Sequence, residues 1–174
     1  LDVSQKTALI TLTCFDNQLK SLNVSNTTAL VSLHCYNNQL ASLDVSTNMA
    51  LKYLHCYNNQ LTSLDVSKNT ALERLQCQKN QLTSLNLSKN TELNELACML
   101  NSIANLDISA CPNLVDAYKK GSRTENELTG VSYWFYNHSP NFLSVDMDTT
   151  VITESVKIGD VNGDGNVDAT DRMI

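Results

Sequence analysis

In the segment GDVNGDGNVDATD, Asp160, Asn162, Asp164, Asp168 and Asp171 place carboxylate or amide oxygens at positions 1, 3, 5, 9 and 12 of a loop. Asn166 adds its backbone carbonyl at position 7, Gly165 permits the sharp turn at position 6, and Val167 at position 8 points its side chain toward whatever the loop packs on. A hard cation needs about six to eight oxygens at short range, and this spacing can wrap one ion. The expected cofactor is Ca2+, held by Asp160, Asn162, Asp164, Asn166, Asp168 and Asp171.

Two features depart from the EF-hand pattern: Asp171 stands where a bidentate Glu is usual, and no incoming helix is evident in ITESVKIGDV. With these features the stretch resembles the first half of a type I dockerin, the duplicated calcium-binding module that docks cellulosomal proteins onto cohesin domains. That family carries Asp at position 12. The resemblance implies that Ala169 and Thr170 contact cohesin, that the partner is the cohesin domain of a scaffoldin, and that the protein works outside the cell, at its surface or in a cellulosome.

The remaining reactive side chains follow a period. Leu1, Leu22, Leu43, Leu64, Leu85 and Leu106 recur every 21 residues, as do Leu9, Leu30, Leu51, Leu72, Leu93 and Leu114. Within the unit, LERLQCQKNQL from Leu72 to Leu82 matches L-x-x-L-x-[LC]-x-x-N-x-L, and the segments from Leu9, Leu30, Leu51 and Leu93 match it too, with Ile103 for Leu in the last. Over residues 1–118 the chain resembles a leucine-rich-repeat protein with the short coils of internalins.

One coil cannot bury its own leucines, so coils must stack, each giving a short strand around Arg74–Cys77 to a parallel sheet with about 4.8 Å between strands. Leu75 and Cys77 then alternate inward, while Arg74, Gln76 and Gln78 build a concave face. Asn17, Asn38, Asn59, Asn80 and Asn101 are expected as a ladder satisfying backbone groups where each coil leaves the strand. Ser4, Ser25, Ser46, Ser67, Ser88 and Ser109 are expected to bond turn amides through their hydroxyls. Coils this short predict extended or 3₁₀ segments, not helices, on the convex side.

Cys14, Cys35, Cys56, Cys77 and Cys98 share the inward slot, which makes them small hydrophobes in a column. Parallel in-register side chains disfavour disulfide torsions between them. Cys111 stands outside that phase and is expected as an exposed, reactive thiol. On the concave face, Phe15, Tyr36 and Tyr57 form one column and His34 and His55 another. These five residues are the candidate ligand-binding set, and the aromatic column reads either as a binding stripe or as a cross-strand ladder.

Beyond Leu114 the period decays. LVDAYKKGSRTENELTG reads as a partial sixth coil and a polar loop, and the segment 131–152 as two strands around a turn at 137–141, with Trp134 in the core of a cap over the solenoid's end. The chain thus reads as mainly β: a solenoid at 1–118, a capping loop and hairpin at 119–156, and a partial dockerin loop at 157–174. Residues 1–145 carry 11 acidic and 10 basic side chains against 7 and 2 in 146–174, which excludes a general basic field for nucleic acid. No apolar run is long enough to span a bilayer.

Asp16 and Glu95 lie four coils apart, too far to flank one glycosidic bond, and no nucleophile constellation is present. The chain therefore reads as a secreted, non-catalytic binding or scaffold protein that engages a protein or polysaccharide on its concave face and docks to cohesin through calcium. Two alternatives are an adhesin-like or structural solenoid whose calcium loop is a local staple, and a binding module of a larger carbohydrate-active enzyme.

Overall fold

The computed structural model describes residues 1–128 and 131–154. The calcium-loop residues, Ala169 and Thr170 lie outside the described residues, as does the side chain of Trp134. Five three-residue strands recur at 21-residue intervals: β1 (Thr11–Thr13), β2 (Ser32–His34), β3 (Tyr53–His55), β4 (Arg74–Gln76) and β5 (Glu95–Ala97). They pair in parallel without slippage, Leu12 opposite Leu33, Leu33 opposite Leu54, Leu54 opposite Leu75 and Leu75 opposite Leu96. Each coil then makes successive tight turns, such as Asn48 N–H to Val45 O and Leu51 N–H to Asn48 O, in place of a convex helix.

Two asparagine ladders hold the coils in register. In the first, Asn59 donates through Nδ2 to the carbonyls of Cys56 in its own coil and Cys35 in the previous one, and its Oδ1 accepts from Leu40 N–H. Asn38, Asn80 and Asn101 repeat the pattern. The second ladder is wholly buried and was not foreseen: Asn48, Asn69 and Asn90 donate to carbonyls of the preceding coil, and Thr27 begins the series.

Cys111 belongs to this second ladder, since it follows Asn90 by 21 residues. Its thiol lies 3.3 Å from the Asn90 carbonyl and is fully buried, which corrects the expectation of an exposed thiol. Burial raises its pKa to about 11. All six cysteines are free and buried, so none should react with an aromatic disulfide reagent in the native protein. Cys14, beside β1 and 9% exposed, should react first as denaturant is added; prompt labelling of Cys111 would contradict this arrangement.

The repeated serines also act differently from expectation. In each turn a side-chain oxygen of Asp2, Asn23, Asp44, Asp65, Asn86 or Asp107 accepts the backbone N–H of the serine two residues on, so the acid or amide caps the turn and the serine is capped. Backbone and hydroxyl bonds from the serines hold the exposed carboxyls of Asp44 and Asp65 below their ordinary range.

At the coil exit, Asp16, Asn37, Asn58, Lys79 and Leu100 occupy the left-handed region at φ of 52° to 58°. Asn and Asp tolerate this conformation, whereas Lys and Leu do not. Lys79→Asn should therefore raise stability by about 1 kcal/mol, visible as a thermal midpoint about 2–4 °C higher. An unchanged midpoint would show that the strain is relieved elsewhere.

The sixth coil leaves the pattern. Its strand β6 (Asn105–Asp107) pairs in parallel with β10 (Thr150–Ile152). Pro112 then opens helix α1 (Pro112–Lys120), with Leu114 and Ala117 buried. Gly121 caps the helix, its N–H donating to Ala117 O, and has no room for a side chain, because a Cβ there would clash with the backbone of Ala117 and Asn137.

The expected polar loop is instead strand β7 (Ser122–Leu128), antiparallel to β8 (Val131–His138). The foreseen hairpin is present, with β8 antiparallel to β9 (Asn141–Asp146), and Asn137 falls on β8. β9 then fills the slot that α1 vacated. It pairs in parallel with β5, sets Leu143 opposite Leu96, and completes a sheet ordered β1-β2-β3-β4-β5-β9-β8-β7. The Asp146 carboxylate accepts the N–H groups of Leu100 and Asn101, so the cap supplies what a further coil would have supplied.

Candidate functional site: the concave face

Strand alternation sends Leu33, Cys35, Leu54 and Cys56 into the core and leaves three rows on the concave face. The first row is Thr11, Ser32, Tyr53, Arg74 and Glu95; the second is Thr13, His34, His55, Gln76 and Ala97; the third is Phe15, Tyr36, Tyr57, Gln78 and Met99. The five predicted ligand-binding residues are therefore brought together on neighbouring strands, all partly buried. Ala97 and Met99 are buried where β9 joins the sheet, which shortens the accessible rows.

Phe15 stacks on Tyr36 and Tyr36 on Tyr57, each pair with centroids 4.4 Å apart and planes within 8°. Tyr36 has a ring against both faces. The row consequently offers edges and hydroxyls to solvent, with free ring faces only at its ends. Burial, Tyr36 and Asp16 raise the pKa of Tyr57, which stays protonated.

His34 and His55 stand with centroids 4.5 Å apart and rings tilted by 45°. Nε2 of His34 is 2.7 Å from Ser32 Oγ, whereas Nε2 of His55 is buried with no hydrogen-bond partner. Burial first, then His34 and Arg74, lower the His55 pKa to about 4, so this imidazole is neutral at physiological pH. Ser32, His34, Tyr53, His55 and Arg74 line a shallow depression of about 260 Å³.

The sequence placed Arg74 on this face and weighed Glu95 only as a catalytic carboxylate, but did not single out the ion pairs beside this depression. Lys52 pairs with Glu73 at 2.7 Å, Arg74 Nε lies 3.2 Å from Glu95, and the Arg74 guanidinium sits 5.7 Å from the centre of the Tyr53 ring. Their 21-residue spacing was the available signal, because Lys52–Glu73 and Arg74–Glu95 each join one coil to the next. Gln78 Oε1 is a second buried acceptor without a partner on this face.

A parallel sheet with one short strand per 21-residue coil, turns instead of convex helices, and an aromatic concave row is an architecture similar to that of internalins, which are leucine-rich-repeat proteins. Its structural neighbours are internalins of Listeria monocytogenes. The functional domain of InlJ, described as including a cysteine ladder, is 36% identical with a TM-score of 0.57, over 66% of this chain and 28% of that one. The internalin InlF is 27% identical with a TM-score of 0.59, over 64% of this chain and 35% of that one. The chain thus spans about a third or less of the length of either. No protein-family model and no curated protein matches it.

Among the described residues, no three His, Cys, Asp or Glu side chains gather as a metal centre, and no helix is long and apolar enough to cross a membrane.

Proposed function

We propose that this is an extracellular, adhesin-like binding protein that performs no catalysis and holds a protein partner on its concave face. The self-stacked row of Phe15, Tyr36 and Tyr57 carries this reading. Rings whose faces are already covered are poor platforms for sugar rings. Their edges and hydroxyls, beside the paired charges of Lys52–Glu73 and Arg74–Glu95, suit the mixed apolar and polar surface of a protein. Strand spacing puts Asp16 and Glu95 roughly 19 Å apart, beyond the separation of a glycosidase pair.

The test immobilises the wild-type chain and the double variant Tyr36→Ala, Tyr57→Ala and exposes both to the same extracellular protein and polysaccharide fractions. A protein retained by the wild type and lost by the variant supports the reading. Equal retention by both, or selective retention of polysaccharide alone, refutes it.

The tail supports a second role for the same chain, calcium-dependent docking to a cohesin. Asp160, Asn162, Asp164, Asp168 and Asp171 would hold Ca2+ with the Asn166 carbonyl, a donor set of hard oxygens that suits this ion. Ala169 and Thr170 would meet the cohesin. Bound calcium supplies the charge that lets these acids share one loop. Calorimetry with calcium, with and without a cohesin, decides it: no cohesin affinity in calcium leaves the loop as a local staple.

A further inference from the structure

We propose that His34 and His55 form a site for a divalent transition ion of the zinc, copper or nickel kind. The two rings occupy the same row of adjacent strands, with centroids 4.5 Å apart and planes tilted by 45°. The aromatic row beside them has the same strand spacing yet stays parallel to within 8°, so the backbone does not impose the tilt.

Nε2 of His55 is buried with no hydrogen-bond partner, a costly arrangement unless something completes it. In His34 the Nε2 atom is 2.7 Å from Ser32 Oγ. When Nε2–H donates to that hydroxyl, the Nδ1 lone pair is left for an ion, and Ser32 plays the orienting part that a hydrogen-bonding group commonly plays behind a metal-bound imidazole.

Two nitrogens each about 2.0–2.1 Å from one ion lie roughly 3.3 Å apart at a tetrahedral angle. Rings 4.5 Å apart can reach that separation by rotation about χ2, which is only softly restrained. The depression of about 260 Å³ leaves room for the ion and its waters. Two imidazoles select zinc, copper or nickel over calcium or magnesium.

Arg74 is the opposing charge in this depression, and it is matched by Glu95 at 3.2 Å. Among the described residues no third His, Cys, Asp or Glu joins the pair, so the other coordination positions fall to water or to a partner's side chain. The site rests on the histidine geometry alone and does not require that the concave face bind a protein.

Zinc chloride titrated into the full chain without a histidine tag tests the proposal, followed by calorimetry and by the histidine ring resonances. His34 and His55 signals should shift together and saturate at one ion per pair. His34→Gln or His55→Gln should each weaken binding by roughly tenfold or more, and the double variant should lose the site. Glutamine is native to this row at Gln76, so the variants keep their fold. Ring signals of His34 and His55 that stay still up to about 1 mM zinc, a concentration at which even a weak site fills, would overturn the proposal, as would equal zinc affinity in the double variant.

Discussion

Asn59→Ala lowers the stability of the protein by about 3 kcal/mol, because it strips partners from several backbone groups at once. Asn59 Nδ2 donates to the carbonyls of Cys35, Cys56 and Tyr57, and its Oδ1 takes the Leu40 N–H, so one side chain ties two coils together. Alanine leaves these groups in a region that water reaches poorly, and a buried group without its partner costs about 1–3 kcal/mol. Asn17 is the control. It stands in the same column beside β1, is exposed, and its side-chain Nδ2 donates to the carbonyls of Cys14 and Phe15 of its own coil. Asn17→Ala should cost less than about 1 kcal/mol. Urea denaturation of the two variants measures both; equal losses would mean that the ladder contributes through local turn geometry and not by joining coils.

The second large effect is on binding. Tyr36→Ala with Tyr57→Ala should weaken attachment of the concave-face partner by roughly a hundredfold, close to 3 kcal/mol, the range of clustered aromatic hot spots. The two rings stack at 4.4 Å, so removing them opens the centre of the accessible rows and uncouples Phe15 from the face. Tyr36→Phe with Tyr57→Phe keeps the stack and deletes only the hydroxyls. If the hydroxyls carry the recognition, this conservative pair loses nearly as much; if ring edges carry it, affinity stays near wild type. Far-ultraviolet circular dichroism and the denaturation midpoint must stay close to wild type in all four substitutions, since the residues are only partly buried and stand outside the hydrophobic core cluster.

What could be read from the sequence was what repeats. A 21-residue period assigns the core leucines of the coils, the Cys14–Cys98 column, the outward rows and the first asparagine ladder, since stacking identical coils turns a sequence phase into a spatial column. The same arithmetic would have placed Cys111 behind Asn90, but the change from amide to thiol concealed a shared position. The second ladder was concealed likewise, because asparagine in a turn reads as local turn chemistry.

The cap was less legible for a different reason. Leu114 continues the period as a coil would, yet the chain then forms α1, and the sixth slot of the sheet is filled by β9 from far along the chain. Such a pairing is non-local, and no feature near Leu114 announces it. SRTENEL reads as a polar loop because an edge strand of a cap carries charges where a core strand carries apolar residues. Residue spacing likewise identified the aromatic column without showing that its rings cover one another, a matter of side-chain torsion that decides which ligands can use them.

A photo-crosslinking residue tests the concave-face account most directly when it is placed at Gln76 and, in a parallel preparation, at Met49. Gln76 lies in the histidine row of β4, whereas Met49 is 64% exposed in the turns beyond the sheet. With the partner bound, Gln76 should crosslink to it and Met49 should not, and Tyr36→Ala with Tyr57→Ala should abolish the Gln76 product. A partner captured from Met49 but not from Gln76 would show that the protein binds through another surface.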